Sequence, residues 1–133
     1  MNIIETRNLT RKFGSTTAVD SLNLNVDKGE VLAFLGPNGA GKTTTIRMLS
    51  GIIAPTAGSA VVSGMRADKD PEKLHQHIGL LTEAPGFYDS LSARFNLEYF
   101  ANFYPGLNVR AQLEKYLKIF GLWERREEKV GTF

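Results

Sequence analysis

Apolar and polar residues change their period several times along this chain, and each change marks an element. Residues 2–9 alternate loosely around Ile3 and Leu9 and predict a strand. Arg11-Lys12-Phe13-Gly14-Ser15 breaks it as a turn. Over residues 17–26, Leu22, Leu24 and Val26 alternate with Asn23 and Asn25. That is a half-buried strand, most naturally antiparallel to the first. Asp27-Lys28-Gly29 turns the chain into Val31-Leu32-Ala33-Phe34-Leu35, an apolar run long enough for a buried strand. Thr44 to Ile52 then reads as a helix with Ile46, Leu49 and Ile52 on one side.

Ala54-Pro55-Thr56-Ala57-Gly58 is a turn, and Ser59 to Ser63 is a short strand closed by Gly64. Residues 65–70 are polar and loop-like. Pro71 opens a short helix that runs to about His77, with Asp70 as its cap. Ile78-Gly79-Leu80-Leu81-Thr82-Glu83 reads as a buried strand ending in an acid, and Ala84 to Asp89 as a loop exposing Phe87 and Tyr88. Ser92 caps a helix with Leu97, Phe100, Ala101 and Tyr104 on one face, stopped by Pro105-Gly106. Val109, Leu113, Tyr116, Leu117 and Phe120 form the stripe of a second helix, ended by Gly121. Trp123 to Val130 predicts a short charged helix. The first half is strand-rich and the second, from about Ser92, is all helix. The order predicts an α/β core over residues 1–91 with a helical lobe over 92–133.

Between the run ending at Leu35 and the helix that follows lies Gly36-Pro37-Asn38-Gly39-Ala40-Gly41-Lys42-Thr43. Two glycines five apart, then lysine and a hydroxyl residue, make the P-loop pattern, here in the strand–helix context that its mechanism needs. Glycines let the backbone bring its N–H groups close to a phosphate, and the positive end of the helix faces the same anion. Lys42 would reach the terminal phosphates, and the hydroxyl of Thr43 would ligate Mg2+. A loop that merely joins strand to helix would account for the glycines. It would not account for a lysine at a helix start, where a cation opposes the helix dipole.

Composition adds limits. At 133 residues the chain is long enough for one domain with a sizeable core. A net charge of +2 is too small to imply a nucleic-acid partner or an anionic membrane surface. The lack of cysteine excludes a disulfide frame or thiolate metal site. The N-terminus lacks the basic segment and long apolar stretch of a signal peptide. The longest apolar run, Val31 to Leu35, is far too short to span a bilayer. His75 and His77 lie two apart and would point to different faces of a helix, which argues against a metal pair. Phe13, in a turn beside basic residues, has two readings: a platform for a purine ring, or an anchor plugging the end of the sheet.

These residues together resemble the nucleotide-binding domain of ABC transporters. The resemblance rests on Arg11-Lys12-Phe13-Gly14, on Ala18-Val19-Asp20 with Leu22, on the run Gly36 to Thr45, and on Pro55-Thr56-Ala57-Gly58. Residues 78–89 look most like bacterial drug and antibiotic exporters of the ABC-2 group. The resemblance implies a P-loop NTPase core of the ABC type, with an N-terminal antiparallel β part and the start of a helical subdomain. It implies that ATP and Mg2+ are bound. Phe13 would stack on adenine, and Val19 would pack near that ring or the ribose. Asn38, Gly39, Ala40, Gly41, Lys42, Thr43 and Thr44 would wrap the phosphates, and Thr43 would hold the metal. Glu83 falls at the Q-loop position, where the family usually has glutamine. It would supply an oxygen toward the metal and the attacking water, with added repulsion of the terminal phosphate. Phe95 stands where relatives often have the glutamate of a capping box, which loses the reciprocal bond.

The resemblance further implies a transmembrane permease subunit and a second ATP-binding domain as partners, no nucleic acid, and a cytoplasmic place on the inner face of the membrane. Phe87 and Tyr88 would lie at the membrane-subunit contact or else pack the helical lobe. The family's signature sequence, Walker B strand, catalytic glutamate and histidine switch have no counterpart before Phe133. The expectation is therefore an N-terminal part of an ATPase domain that binds ATP weakly and does not turn it over alone. A second reading takes residues 78–83 as a Walker-B-like strand, although Thr82 separates the acid from the apolar run. A third is an ABC-type ATPase with no transport role.

Overall fold

A computed structural model describes residues 2–82, 86–104 and 106–133. They fall into two compact units, residues 1–81 and 82–133.

The first unit is built on a four-stranded antiparallel sheet. Strands β1 (Asn2–Phe13) and β2 (Thr16–Asp27) form a long hairpin, and β3 (Ala57–Val62) lies on the other side of β1. A two-residue strand β4 (Met65–Arg66) follows β3. The antiparallel pairing expected of the first two strands is present, with Thr6 opposite Leu24 and Leu9 opposite Leu22. The alternation read at Leu22, Leu24 and Val26 points inward as expected. It fails upstream, where Val19 is also buried. A bulge shifts the phase there. The register moves between Leu9–Leu22 and Arg11–Val19, and the N–H of Ser21 donates to Thr10 Oγ1 at 2.9 Å. Buried Thr6 is part of the ladder itself, accepting from Leu24 N–H at 2.8 Å and donating to the Leu22 carbonyl at 2.9 Å.

Helix α1 (Lys42–Leu49) packs on this sheet, and α2 (Pro71–His75) closes the unit with Leu74 fully buried. The core joins Leu9, Val19, Met48, Leu49, Ala60, Val62, Ala67 and Leu74. The buried face of α1 is Thr45, Met48 and Leu49. Ile52, placed on that face by the sequence, lies beyond the helix end and is half exposed. Residues 65–70, read as loop, contribute β4 and a fork between Arg66 and Asp68. There Arg66 Nε and Nη2 donate to the two carboxylate oxygens, each at 2.8 Å.

Among the described residues, two expected strands are absent. Residues 31–35 form no strand, and Val31 is 96% and Leu35 91% exposed. Residues 78–82 form none either, with Leu81 at 88%. Only Phe34 and Ile78 from these runs pack against the core. The physical reason lies in pairing. An apolar run becomes a buried strand when neighbours take up its N–H and C=O groups, and no described strand lies beside either run.

The Arg66–Asp68 fork carries a pH prediction. Hydrogen bonding from Arg66 is the largest effect on Asp68 and holds its carboxyl below the ordinary value. A carboxyl lowered in the folded state adds stability above its unfolded pKa, and that stability is lost as pH falls through the folded value. Asp68→Asn is expected to flatten the acid side of the melting-temperature profile below about pH 4. Thermal melts of both proteins from pH 7 to 3 check this.

The second unit holds α3 (Ala93–Ala101) and α4 (Val109–Ile119). Ser92 caps α3 as expected, accepting from Phe95 N–H at 3.1 Å, and Asn108 caps α4. Gly121 ends α4. Its N–H bonds Lys118 O and that of Leu122 bonds Leu117 O, the paired bonds of a Schellman stop. On α4, Leu113 and Leu117 are buried, whereas Tyr116 and Phe120 of the expected stripe are exposed.

On α3 the deepest residues are Ala93 and Asn96, and Tyr104 is exposed. A polar side chain takes the inner position because a loop backbone needs partners. Asn96 accepts from Tyr88 N–H at 2.7 Å and donates to Tyr88 O at 3.1 Å. The expected helix at residues 123–130 is two single 3-10 turns, Trp123–Arg125 and Val130–Thr132. Carbonyls between them accept from the start of α3, Arg126 O from Arg94 N–H and Glu128 O from Ala93 N–H. Those carbonyls are therefore withheld from a helix of their own. The Pro105 part of the expected helix stop lies outside the described residues.

Candidate functional site

Helix α1 starts at Lys42 because Gly41 caps it in the left-handed region, at φ 86°. A Cβ there would meet the carbonyl oxygen of Ala18 and would stand 3.1 Å from Val19 Cγ2. The cap therefore seats directly on the β2 backbone. The first bond into the helix is from Thr45 N–H to Gly41 O, at 2.8 Å. The N–H groups of Lys42, Thr43 and Thr44 precede it and have no acceptor within the helix. A glycine cap offers them no side chain either. Three donors thus lie at the positive end of a helix whose first turn is exposed at Thr43, half-buried at Lys42 and Thr44, and buried at Thr45.

Ahead of them, Asn38, Gly39 and Ala40 form an exposed turn, closed by Ala40 N–H donating to Pro37 O at 3.2 Å. Lys42 folds back over this loop. Its Nζ donates to Gly36 O and to Pro37 O, each at 2.6 Å. Those carbonyls offset the unfavourable placing of a cation at a helix start. An ammonium has three N–H donors, so one stays available to a ligand.

The three threonines at the helix start divide. Thr45 is buried and its hydroxyl donates to Gly41 O at 2.9 Å. Thr43 is exposed, and its hydroxyl bonds none of the described residues. A hard cation takes oxygen ligands and keeps several waters and phosphate oxygens in its shell. The free Thr43 hydroxyl beside the amide cradle fits that donor set. Among the described residues, no three His, Cys, Asp or Glu side chains come together as a metal cage. Glu83, the other expected metal and catalytic residue, lies outside the described residues.

Phe13 ends β1 opposite Thr16, beside the Gly14-Ser15 turn, with its ring half exposed. The structure connects it to the loop through two short steps. The Arg11 guanidinium lies 4.6 Å from the centre of the Phe13 ring, and Arg11 is paired with Val19 across the hairpin. Val19 in turn touches the place where α1 begins. It is buried in the core and supports the cap from beneath.

Sequence reasoning gave no role to Arg11 or to the Ala18 carbonyl. Arg11 had a signal, since residues two apart on a strand share a face. Ala18 had none, because its contribution is a backbone atom. His75 is exposed at the end of α2, and its Nε2 lies 2.8 Å from Ser50 O at the end of α1.

Comparison with known proteins places this geometry. The family described as ABC transporter matches residues 19–133. The bacitracin transport ATP-binding protein BcrA of Bacillus licheniformis is 44% identical over 131 residues, which cover 98% of this chain and 42% of that protein. The probable multidrug ABC transporter ATP-binding protein YbhF of Escherichia coli is 42% identical over 90% of this chain and 21% of that protein. The chain thus spans less than half the length of these relatives. A solved ATP-binding subunit of an ABC transporter superposes with a TM-score of 0.82 at 27% identity, covering 98% of this chain and 55% of that one.

Proposed function

The chain belongs to the ABC transporter family, and from that premise we propose that residues 38–44 hold the phosphates of ATP in the ATP-binding subunit of a bacterial exporter. ATP-binding domains of this family bind ATP, and the chain has their fold. The observation that carries the reading is the start of α1. It has unpaired amides at Lys42, Thr43 and Thr44, a glycine cap, and an ammonium fixed over the loop.

Each residue then has a task. The N–H groups of Lys42, Thr43 and Thr44 donate to the phosphate oxygens without reorganising, because Gly41 is already seated on Ala18. The remaining N–H of Lys42 reaches the terminal phosphate. Thr43 supplies its hydroxyl to Mg2+, which neutralises phosphate charge when bound. Phe13 stacks on the base, with Val19 beneath the cap. Glu83 offers a carboxylate oxygen toward the metal and the attacking water, against the repulsion of the terminal phosphate.

Residues 1–91 are the ATP-binding core in this reading, and 92–133 the helical part. The protein works with a transmembrane permease subunit and a second ATP-binding domain, on the inner face of the membrane. No described helix is long and apolar enough to cross a membrane itself. The relatives' names, which specify bacitracin and multidrug transport, favour a drug-like cargo.

Lys42→Ala tests the reading. Loss of one charge-assisted contact is worth roughly 1.5–3 kcal/mol, or about ten- to a hundredfold in ATP affinity. Equilibrium binding with Mg2+, alongside phosphate release, is the measurement. An ATP affinity unaffected by Lys42→Ala overturns the assignment.

A further inference from the structure

We propose that Arg11 is a positioning residue for base recognition, holding the Phe13 ring rigid and leaving one face for a purine. The inference rests on the reading of Phe13 as the base platform. Three observations carry it.

The Arg11 guanidinium lies over the Phe13 ring, 4.6 Å from its centre. One face of the ring is therefore covered, so the exposure of this half-exposed residue falls on the opposite face and the edge. Secondly, Arg11 Nη1 donates to the Ala54 carbonyl at 2.7 Å. Ala54 follows directly on the turn that ends α1, so the guanidinium ties the ring to the far end of the helix whose first turn faces the phosphates. Thirdly, Arg11 Nε is buried and has no hydrogen-bond partner. Buried donors are nearly always paired, and a guanidinium free to turn would satisfy them. Here its plane is set by the ring and by Ala54, and Nε is left over.

The consequence is pre-organisation. A ring clamped from behind loses little freedom when a base stacks in front. Arg11 touches neither base nor phosphate. Its effect reaches the ligand only through Phe13.

The test separates base from phosphate by comparing ATP with inorganic tripolyphosphate, both with Mg2+, in the purified protein. Arg11→Met keeps the unbranched stem and removes the charge and the planar fork. It is expected to weaken ATP binding about fivefold, with tripolyphosphate binding unchanged. Arg11→Lys keeps the charge without the flat stack and is expected to move the same way. Phe13→Ala serves as the reference for losing the platform. If both Arg11 variants bind ATP as the parent does while Phe13→Ala weakens it, the Arg11 inference falls and the platform stands. If Phe13→Ala leaves ATP binding unchanged, the platform reading falls and this inference with it. Equal losses for ATP and tripolyphosphate would show that Arg11 supports the fold at large, which also overturns it.

Discussion

Gly41→Ala is expected to abolish measurable ATP binding, with affinity falling about a hundredfold or more. The added Cβ runs into the Ala18 carbonyl oxygen, a backbone atom that cannot step aside without moving β2. It also crowds Val19, whose side chain is locked in the core. The cap must then leave φ 86°, and the amides of residues 42–44 lose their common direction. Since each anion-directed amide depends on its aim, tilting the first turn removes several contacts together. Titration with ATP and with tripolyphosphate should show the same loss, because the defect lies under the phosphates. The helix itself should persist, since Met48 and Leu49 still anchor it to the sheet. Circular dichroism near that of the parent, with binding lost, is the expected pair of results. Retained affinity would mean that this turn does not carry the phosphate.

Gly58→Ala is expected to cost roughly 3 kcal/mol or more of stability, the range of changes that force a strained backbone and a steric clash together. Gly58 lies in β3 at φ 77°, where the register against β1 shifts between Arg7 and Thr10. A Cβ would meet the carbonyl oxygens of Arg7 and Asn8. Those carbonyls have little room to yield. Asn8 is itself held at φ 46° by reciprocal bonds with Asn23, its N–H donating to Asn23 Oδ1 at 2.9 Å and its Oδ1 accepting from Asn23 Nδ2 at 3.0 Å. The clash would therefore spread to β1, the central partner of both long neighbours. A urea unfolding free energy within about 1 kcal/mol of the parent would refute this.

This second case shows how a local reading can be right and incomplete. The residues predict a turn over Ala54 to Gly58, but Ala57 and Gly58 already belong to β3. In the fold it also fastens two strands. Thr56 N–H donates to Thr10 O at 2.8 Å, and Thr56 Oγ1 accepts from Lys12 N–H at 3.0 Å. Turn chemistry was visible in the residues, but the partner strand that uses it lies more than forty positions upstream. The same holds at Asn96. Its helical position was legible and its inward aim was not, because the demand for it comes from the backbone at Tyr88.

What the sequence determined alone was everything that neighbouring residues settle among themselves. It set the hairpin of β1 and β2, the Ser92 cap, the stop at Gly121, and the glycine-lysine-threonine run opening α1. Period, capping and turn preference act over a few residues and need no knowledge of the rest. Only the tertiary structure decided which apolar runs found strand partners. Among the described residues, 31–35 and 78–81 found no strand to pair with despite their composition. It alone seated Gly41 on Ala18 and laid Arg11 on Phe13 while tying it to Ala54. The physical reason is that burial and hydrogen-bond partnership depend on which distant segments arrive beside one another, whereas periodicity records only which side of each segment is ready to be covered.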